Sequence, residues 1–139
     1  MVERSAVPAP ECLALILCEL VIRDRQTNNL TLVNTFNTIT VSFLEGAPPR
    51  SGRLAVFVSL TGGHGTSQGK LIIKDPSGDE ISHGEGPVVF PNPLAVVELT
   101  FDIRGLPLPR EGQYAIEFWC GDELVRQRQF QVVAQKASA

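Results

Sequence analysis

The chain has 139 residues, 43% of them hydrophobic, and a formal net charge of −3 at pH 7. A chain of this length has the size of one domain and can bury a hydrophobic core of its own. Its Lys and Arg residues are scattered and outnumbered by acidic residues. Because nucleic-acid binders carry a basic face, we expect no nucleic-acid partner.

The cysteines and the N-terminal segment indicate the compartment. Cys12, Cys18 and Cys120 are an odd and small set, which argues against the disulfide framework of a secreted protein. The N-terminus has no basic segment followed by an apolar one, so no signal peptide is predicted. The apolar run at residues 13–17 is too short to cross a bilayer. We therefore expect a cytoplasmic protein with no membrane partner.

Stretches that resemble strands follow one another along the chain, separated by turn residues at short spacing. Eight predicted strands cover residues 12–24, 30–43, 53–61, 69–75, 80–90, 94–104, 113–120 and the segment from the Gly121-Asp122 turn to about residue 133. No window has the apolar period of a helix. The sequence predicts an all-β fold, namely a seven- to eight-stranded antiparallel Greek-key β-sandwich that is immunoglobulin-like.

Individual strands carry further expectations. Both alternating sets are apolar over residues 12–17, which predicts a strand covered on both faces. The apolar sets change parity within residues 30–43, so a bulge is expected there. Residues 80–90 are weakly apolar and contain glycine, which favours a sheet edge. A single domain is predicted over residues 12–133, with flexible termini at residues 1–11 and 134–139.

The segment before Tyr114 has a recognisable form. Residues 106–114 read Leu-Pro-Leu-Pro-Arg-Glu-Gly-Gln-Tyr, a loop that ends in a tyrosine at the start of a strand. This segment resembles the tyrosine corner of Greek-key sandwiches, in which the hydroxyl bonds to backbone a few residues upstream. Tyr114 is therefore predicted as a structural corner that holds the loop at residues 105–112. The alternative is an ordinary half-buried tyrosine in a strand.

Several core and turn segments are distinctive when read together. They are residues 14–18 with 21–24 and Thr27, residues 93–99 with the loop at 105–114, and Phe118 followed by the Gly121-Asp122 turn. Over about residues 13–133 the chain resembles a family of short bacterial β-sandwich proteins of unknown function. The resemblance implies a stand-alone bacterial sandwich. It assigns no role to any residue, because the family has no assigned activity.

A glycine-rich segment at residues 62–70 ends in Gly69-Lys70 but does not match a phosphate-binding loop. That motif needs glycine where His64 stands and Ser or Thr where Leu71 stands, and it opens a helix. The next predicted element is a strand, which offers no helix N-terminus for an anion. We interpret the segment as a hairpin loop.

The residues that could carry catalysis or bind a metal are few. His64 and His83 are the only histidines, and no nucleophile with a neighbouring base is evident. Cys12 and Cys18 would lie roughly 20 Å apart along one strand, too far to share a metal ion. The sequence therefore predicts no catalytic residues, no metal site, no cofactor and no enzyme activity.

One aromatic residue falls on a face where the pattern predicts exposure. Strand parity places Tyr114 and Phe118 inside and Trp119 outside, and exposed tryptophans are common anchors for protein partners. Alternatively, a neighbouring loop covers Trp119 or a bulge changes its side. In the last strand, glutamines alternate with Arg126, Arg128 and Phe130. The polar side of this strand is either a solvated face or an edge that pairs with a second chain. The candidate interface comprises Trp119, Arg126, Arg128 and Phe130.

These observations lead to three functional hypotheses. The first is a non-catalytic module for protein–protein interaction or self-association, with an unidentified partner or as a homo-oligomer. The alternative is a domain that binds a small ligand, a sugar or a peptide, with the loops at residues 62–67 and 91–93 at one end of the sandwich. A third, weaker hypothesis is an enzyme with a scattered site that includes His64 or His83.

Overall fold

The computed structural model describes residues 9–43 and 49–135, and these form two β-sheets. The strands in this part of the chain are β1 (Glu11–Arg23), β2 (Leu30–Thr35), β3 (Thr38–Val41), β4 (Arg53–Thr61), β5 (Gly65–Lys74), β6 (Glu80–Phe90), β7 (Val97–Arg104), β8 (Gly112–Cys120) and β9 (Glu123–Ala134). The fold is all-β, as predicted. Of the termini predicted to be flexible, residues 1–8 and 136–139 lie outside the described residues.

The two sheets differ in size and in strand direction. The four-stranded sheet has the order β2-β1-β4-β7, and the five-stranded sheet has the order β3-β9-β8-β5-β6. All pairs are antiparallel except β3 and β9, which run parallel from Thr38 opposite Gln131 to Val41 opposite Ala134. The prediction of a purely antiparallel sandwich is wrong at this pair. The predicted edge position of residues 80–90 is confirmed, since β6 ends its sheet.

The ninth strand arises where one predicted strand is divided between the two sheets. The N–H of Phe36 still donates to Leu17 O in the first sheet, at 3.2 Å, while Asn37 O accepts from the N–H of Gln131 in the second, at 2.9 Å. The chain therefore changes sheets at Phe36-Asn37. The change of apolar parity within residues 30–43 marks this transfer between sheets.

The core lies between β4 of one sheet and β8 and β5 of the other. Alternate β4 side chains, Leu54, Val56, Val58 and Leu60, are at most 2% exposed. Their counterparts from β8 are Tyr114, Ile116 and Phe118, each 0% exposed. Complete burial of such a side chain contributes roughly 1.5–3 kcal/mol, so this alternation is the main reason the two sheets associate.

Tyr114 joins the core to the loop between β7 and β8. Its hydroxyl donates to Arg110 O at 2.6 Å and accepts the Arg110 N–H at 3.3 Å. This is the contact that defines a tyrosine corner. Burial raises the pKa of Tyr114, so the hydroxyl stays a donor well into alkaline pH. In the same loop Leu106 and Leu108 insert into the core.

Candidate functional site

Trp119 lies on the outer face of the five-stranded sheet, among polar side chains. It is half-buried, and its Nε1–H donates to Glu117 Oε1 at 3.0 Å. The other carboxylate oxygen of Glu117 forms a salt bridge with Lys74 Nζ, at a distance of 3.1 Å. The indole N–H of Trp119 therefore already has a hydrogen-bond acceptor within the chain. That Trp119 anchors a partner remains a prediction.

Arg126 and Arg128 contact the opposite sheet. Arg126 Nη2 donates to Cys12 O at 2.8 Å, and Arg128 Nη1 donates to Leu15 O at 2.7 Å. Arg128 Nη2 also donates to Asn37 Oδ1. β3 pairs only with residues 131–134 of β9, so no strand of the described chain lies beside the first half of β9 on that edge. This half therefore borders the gap between the two sheets. The two arginines bridge that gap and satisfy carbonyls on the open side of β1.

Replacement of Arg128 by alanine is expected to lower the free energy of unfolding by about 1–2 kcal/mol, because hydrogen bonds from a charged group to β1 and Asn37 are lost. Urea unfolding measures the change, with Arg25→Ala at an exposed turn as the control. If Arg128→Ala left unfolding unchanged and weakened self-association instead, Arg128 would belong to an intermolecular interface.

Phe130 corrects the predicted interface. It is 2% exposed and lies in the core, where its ring stacks on Tyr114 with centroids 5.2 Å apart. A side chain in this position meets no external partner. The expectation failed because the sequence neighbours of Phe130, Gln129 and Gln131, are polar and suggested an exposed strand. The alternation of side chains along β9 instead points Phe130 toward the core.

The two loops predicted to bind a small ligand contact each other. The N–H of Gly62 donates to Pro93 O at 3.0 Å, and Thr61 Oγ1 donates to Ala95 O at 3.0 Å. A Cβ added to Gly63 would lie 2.3 Å from the Phe90 ring, so that ring fills the space behind the first loop. These contacts give the alternative hypothesis no support at this end of the sandwich.

The two histidines lie far apart. His64 precedes β5, whereas His83 lies opposite Ile72 in the middle of β6. Seven strand residues between these levels correspond to roughly 23 Å. In the part of the chain that the structure covers, no group of three or more His, Cys, Asp or Glu side chains could hold a metal ion. Nor do the residues with described positions form a helix long and apolar enough to cross a membrane.

A surface that the sequence analysis missed lies on the outside of the four-stranded sheet. Its strands alternate between core residues such as Leu15, Leu17 and Val56 and a second, outward set that is also apolar. We call the outward set the outer sheet face. It comprises Ile16, Cys18, Leu20, Ile22, Val33, Ala55 and Phe57.

Cross-strand register makes the outer sheet face continuous. Ile16 lies opposite Phe57, and Leu20 lies opposite Val33. Ile22 is 49% exposed, whereas Cys18 and Ala55 are 0% exposed and Phe57 is 8% exposed. Burial raises the pKa of Cys18, so the thiol is neutral and behaves as an apolar group.

No third layer covers this face among residues 9–43 and 49–135, which form only the two sheets. The expectation that residues 12–17 are covered on both faces is therefore wrong for the described chain. The signal that reveals the outer sheet face is the same double apolar pattern at residues 12–17. It predicts burial but does not say whether the covering group belongs to the same chain.

Charged residues border the outer sheet face along β7. Its outward side chains are exposed and run from Glu98 through Thr100 and Asp102 to Arg104. On the opposite border, β2 contributes Thr31 and Thr35. An apolar centre with a polar border is the composition of protein–protein interfaces, and the outer sheet face is therefore our candidate site.

Comparison with known proteins agrees with the resemblance noted above. No curated protein matches the chain. A model of one protein family matches residues 13–133, which includes β2 to β8 entirely and nearly all of β1 and β9. The chain belongs to this family, DUF6941, a family of unknown function.

Proposed function

We propose that this protein is a non-catalytic module for protein–protein interaction that self-associates through the outer sheet face. The observation that carries the proposal is the continuous apolar surface from Ile16 to Phe57 and from Leu20 to Val33, which has no covering layer within the described chain. Within this face Ile22 is exposed and Ile16, Leu20 and Val33 are half-buried, whereas Cys18, Ala55 and Phe57 are buried, so its accessible apolar part lies on β1 and β2. Contiguous accessible apolar side chains rimmed by polar residues mark sites of protein–protein interaction.

We also propose that the sandwich is an immunoglobulin-like Greek key, on the strength of its strand order. The proposal takes β1, β4 and β7 as strands A, B and E, and β5, β8 and β9 as strands C, F and G. The neighbours A-B-E in one sheet and C-F-G in the other support it. The position of Tyr114 near the start of strand F is a further similarity. β2 is then an addition to the edge of strand A.

The area of the face suits a weak dimer. Four strands spaced about 4.8 Å apart and about eight residues long present roughly 500 Å². Two such faces would bury about 1,000 Å², near the lower limit for specific complexes. We therefore expect a dissociation constant in the micromolar range.

The charges on β7 favour a second copy as the occupant. A twofold axis in the interface, perpendicular to the strands and passing near Phe101, reverses the strand direction. It places Glu98 against Arg104 of the second copy, since both lie three residues from the axis. The interaction occurs twice, because twofold interfaces are self-complementary. Apolar rows on β1 and β4 meet their counterparts in the same arrangement.

Sedimentation equilibrium of the full chain tests the proposal. We expect a monomer–dimer equilibrium that Ile16→Lys shifts to monomer, with at least a tenfold rise in Kd. Gln129→Lys and Trp119→Ala, on the other sheet, serve as controls and should leave Kd unchanged. If Trp119→Ala weakens the dimer instead, the interface lies on the five-stranded sheet.

Charge reversal tests the orientation of the dimer. Glu98→Arg and Arg104→Glu should each weaken association, whereas the double variant should restore it because the pairs form again with opposite signs. A monomer at every concentration up to about 1 mM, where even weak association is detectable, would contradict self-association.

A further inference from the structure

The hairpin formed by the end of β1 and by β2 extends beyond the core of the sandwich. β1 pairs with β4 only as far as Cys18, and residues 19–23 pair only with β2 among the described strands. None of residues 19–35 is buried, and none of them is among the side chains that form the core or pack against it. We call residues 19–35 the β1–β2 arm.

The β1–β2 arm is nevertheless rich in aliphatic side chains, although an isolated two-stranded hairpin is only marginally stable in water. These side chains are Leu20, Val21, Ile22, Leu30, Leu32 and Val33. Leu20 and Ile22 lie on the outward side of the arm, where Val33 is opposite Leu20. The arm thus continues the outer sheet face beyond the core, and burial of its outward side against a second surface would stabilise the hairpin.

The other end of β1 carries a protruding leucine. A β-bulge inserts Leu13 between Cys12 and Ala14. Cys12 packs against the core, so the next residue, Leu13, points outward, and it is 54% exposed. Its neighbour Ala14 is small and half-buried. Leu13 therefore projects from the outer sheet face.

The twofold axis near Phe101 relates these two ends of β1. Phe101 lies opposite Val56, and Val56 lies opposite Leu17, so the axis crosses β1 at Leu17. Leu20 lies three residues after this point. Leu13 lies between three and four pairing levels before it, because the bulge adds one residue there. The axis follows from the charges on β7 alone, yet it places Leu13 of one copy against Leu20 of the other.

We propose that the β1–β2 arm of each copy in the dimer is covered by the Leu13 bulge of the second copy. Leu13 lies over Leu20 and beside Ile22 of the second copy, and its level differs from that of Leu20 by about half a residue, roughly 1.7 Å. The contact occurs twice, because the twofold interface is self-complementary. It rests on the self-association proposed for the outer sheet face, and it identifies the segment of the second copy that meets the arm. The second copy is the occupant because the arm is continuous with that face.

Sedimentation equilibrium of the full chain tests the contact with two charged variants. Leu13→Glu and Leu20→Lys should each raise the Kd of the dimer at least tenfold, because each places an unpaired charge against an aliphatic side chain. An equimolar mixture of the two variants should associate more tightly than either variant alone. In the mixed dimer the introduced carboxylate meets the introduced ammonium group, and the second contact remains leucine against leucine.

Leu124→Glu and Leu124→Lys are the matched controls, at an exposed position of β9, and should leave Kd unchanged. Ile22 stays unaltered in these variants, since Glu11 of the second copy lies at its level and would pair with an introduced lysine. Neither Leu13 nor Leu20 belongs to the core, so urea unfolding of both variants should resemble that of the parent chain.

Each result separates the contact from the proposed self-association. A dimer that Ile16→Lys weakens but Leu13→Glu and Leu20→Lys leave intact would mean that the outer sheet face associates without the arm. A mixture that associates no better than the single variants would also overturn the contact between Leu13 and Leu20. A parent chain that stays monomeric up to about 1 mM contradicts self-association itself, and the contact with it.

Discussion

Replacement of Phe130 by alanine is expected to lower the free energy of unfolding by about 3–5 kcal/mol, as truncation of a buried aromatic side chain does. Phe130 is 2% exposed, and its ring stacks on Tyr114. The loss combines the apolar area removed with the cavity left beside a fully buried ring. Chemical denaturation followed by circular dichroism measures it.

The neighbouring Gln129→Ala is the control for Phe130. Gln129 is exposed on the outer face of the same strand, so its replacement should change the free energy of unfolding by no more than about 0.5 kcal/mol. A loss below about 1 kcal/mol in Phe130→Ala would mean that the ring is not a core residue.

Replacement of Tyr114 by alanine should also cost about 3–5 kcal/mol, since the side chain is 0% exposed and belongs to the same aromatic stack. Tyr114→Phe divides this loss into two parts. Phenylalanine keeps the ring and removes the hydroxyl that donates to Arg110 O, so the expected cost is about 1–2 kcal/mol. Urea unfolding of both variants measures the two contributions.

Hydrogen exchange identifies the region that Tyr114 stabilises. In Tyr114→Phe, faster exchange is expected for the amide of Arg110 and its neighbours in the β7–β8 loop, because the hydroxyl accepts that N–H. Exchange in β1 should be unchanged apart from the global loss of stability. A variant as stable as the parent chain would show that the corner contact contributes nothing.

The outer sheet face and the groove between β6 and β7 lie on different parts of β7. The outer sheet face is bordered by the outward side chains of β7, from Glu98 to Arg104. The groove is lined by the inward side chains Phe101 and Ile103 of the same strand.

Residue patterns within single strands were enough to predict much of the architecture. The alternation in residues 53–61 places Leu54, Val56, Val58 and Leu60 inside, as observed. Turn residues correctly separate most strands, and the weak pattern of residues 80–90 correctly indicates an edge. These properties are local, because a strand shows its two faces and its ends through its own side chains.

Other properties depend on which strands become neighbours, and local patterns do not contain that information. The change of apolar parity within residues 30–43 is visible in the sequence. That it marks a transfer between sheets follows only from the hydrogen bonds to Leu17 in one sheet and to Gln131 in the other. Arg126 and Arg128 have the composition of a solvated face. They instead form hydrogen bonds within the chain, because the unpaired carbonyls of β1 lie opposite them.

The outer sheet face and the groove between β6 and β7 follow from the same distinction. The order of amino acids is enough to show that residues 12–17 are apolar on two faces and that Ser82, Gly84 and Gly86 are small. The arrangement of the strands in space is needed to show that the first property leaves an apolar face without a covering layer in the described chain and that the second opens a groove beside β7. The reason is that burial is a property of pairs of elements, and the pairing of strands distant in sequence is set by the packing of the whole core.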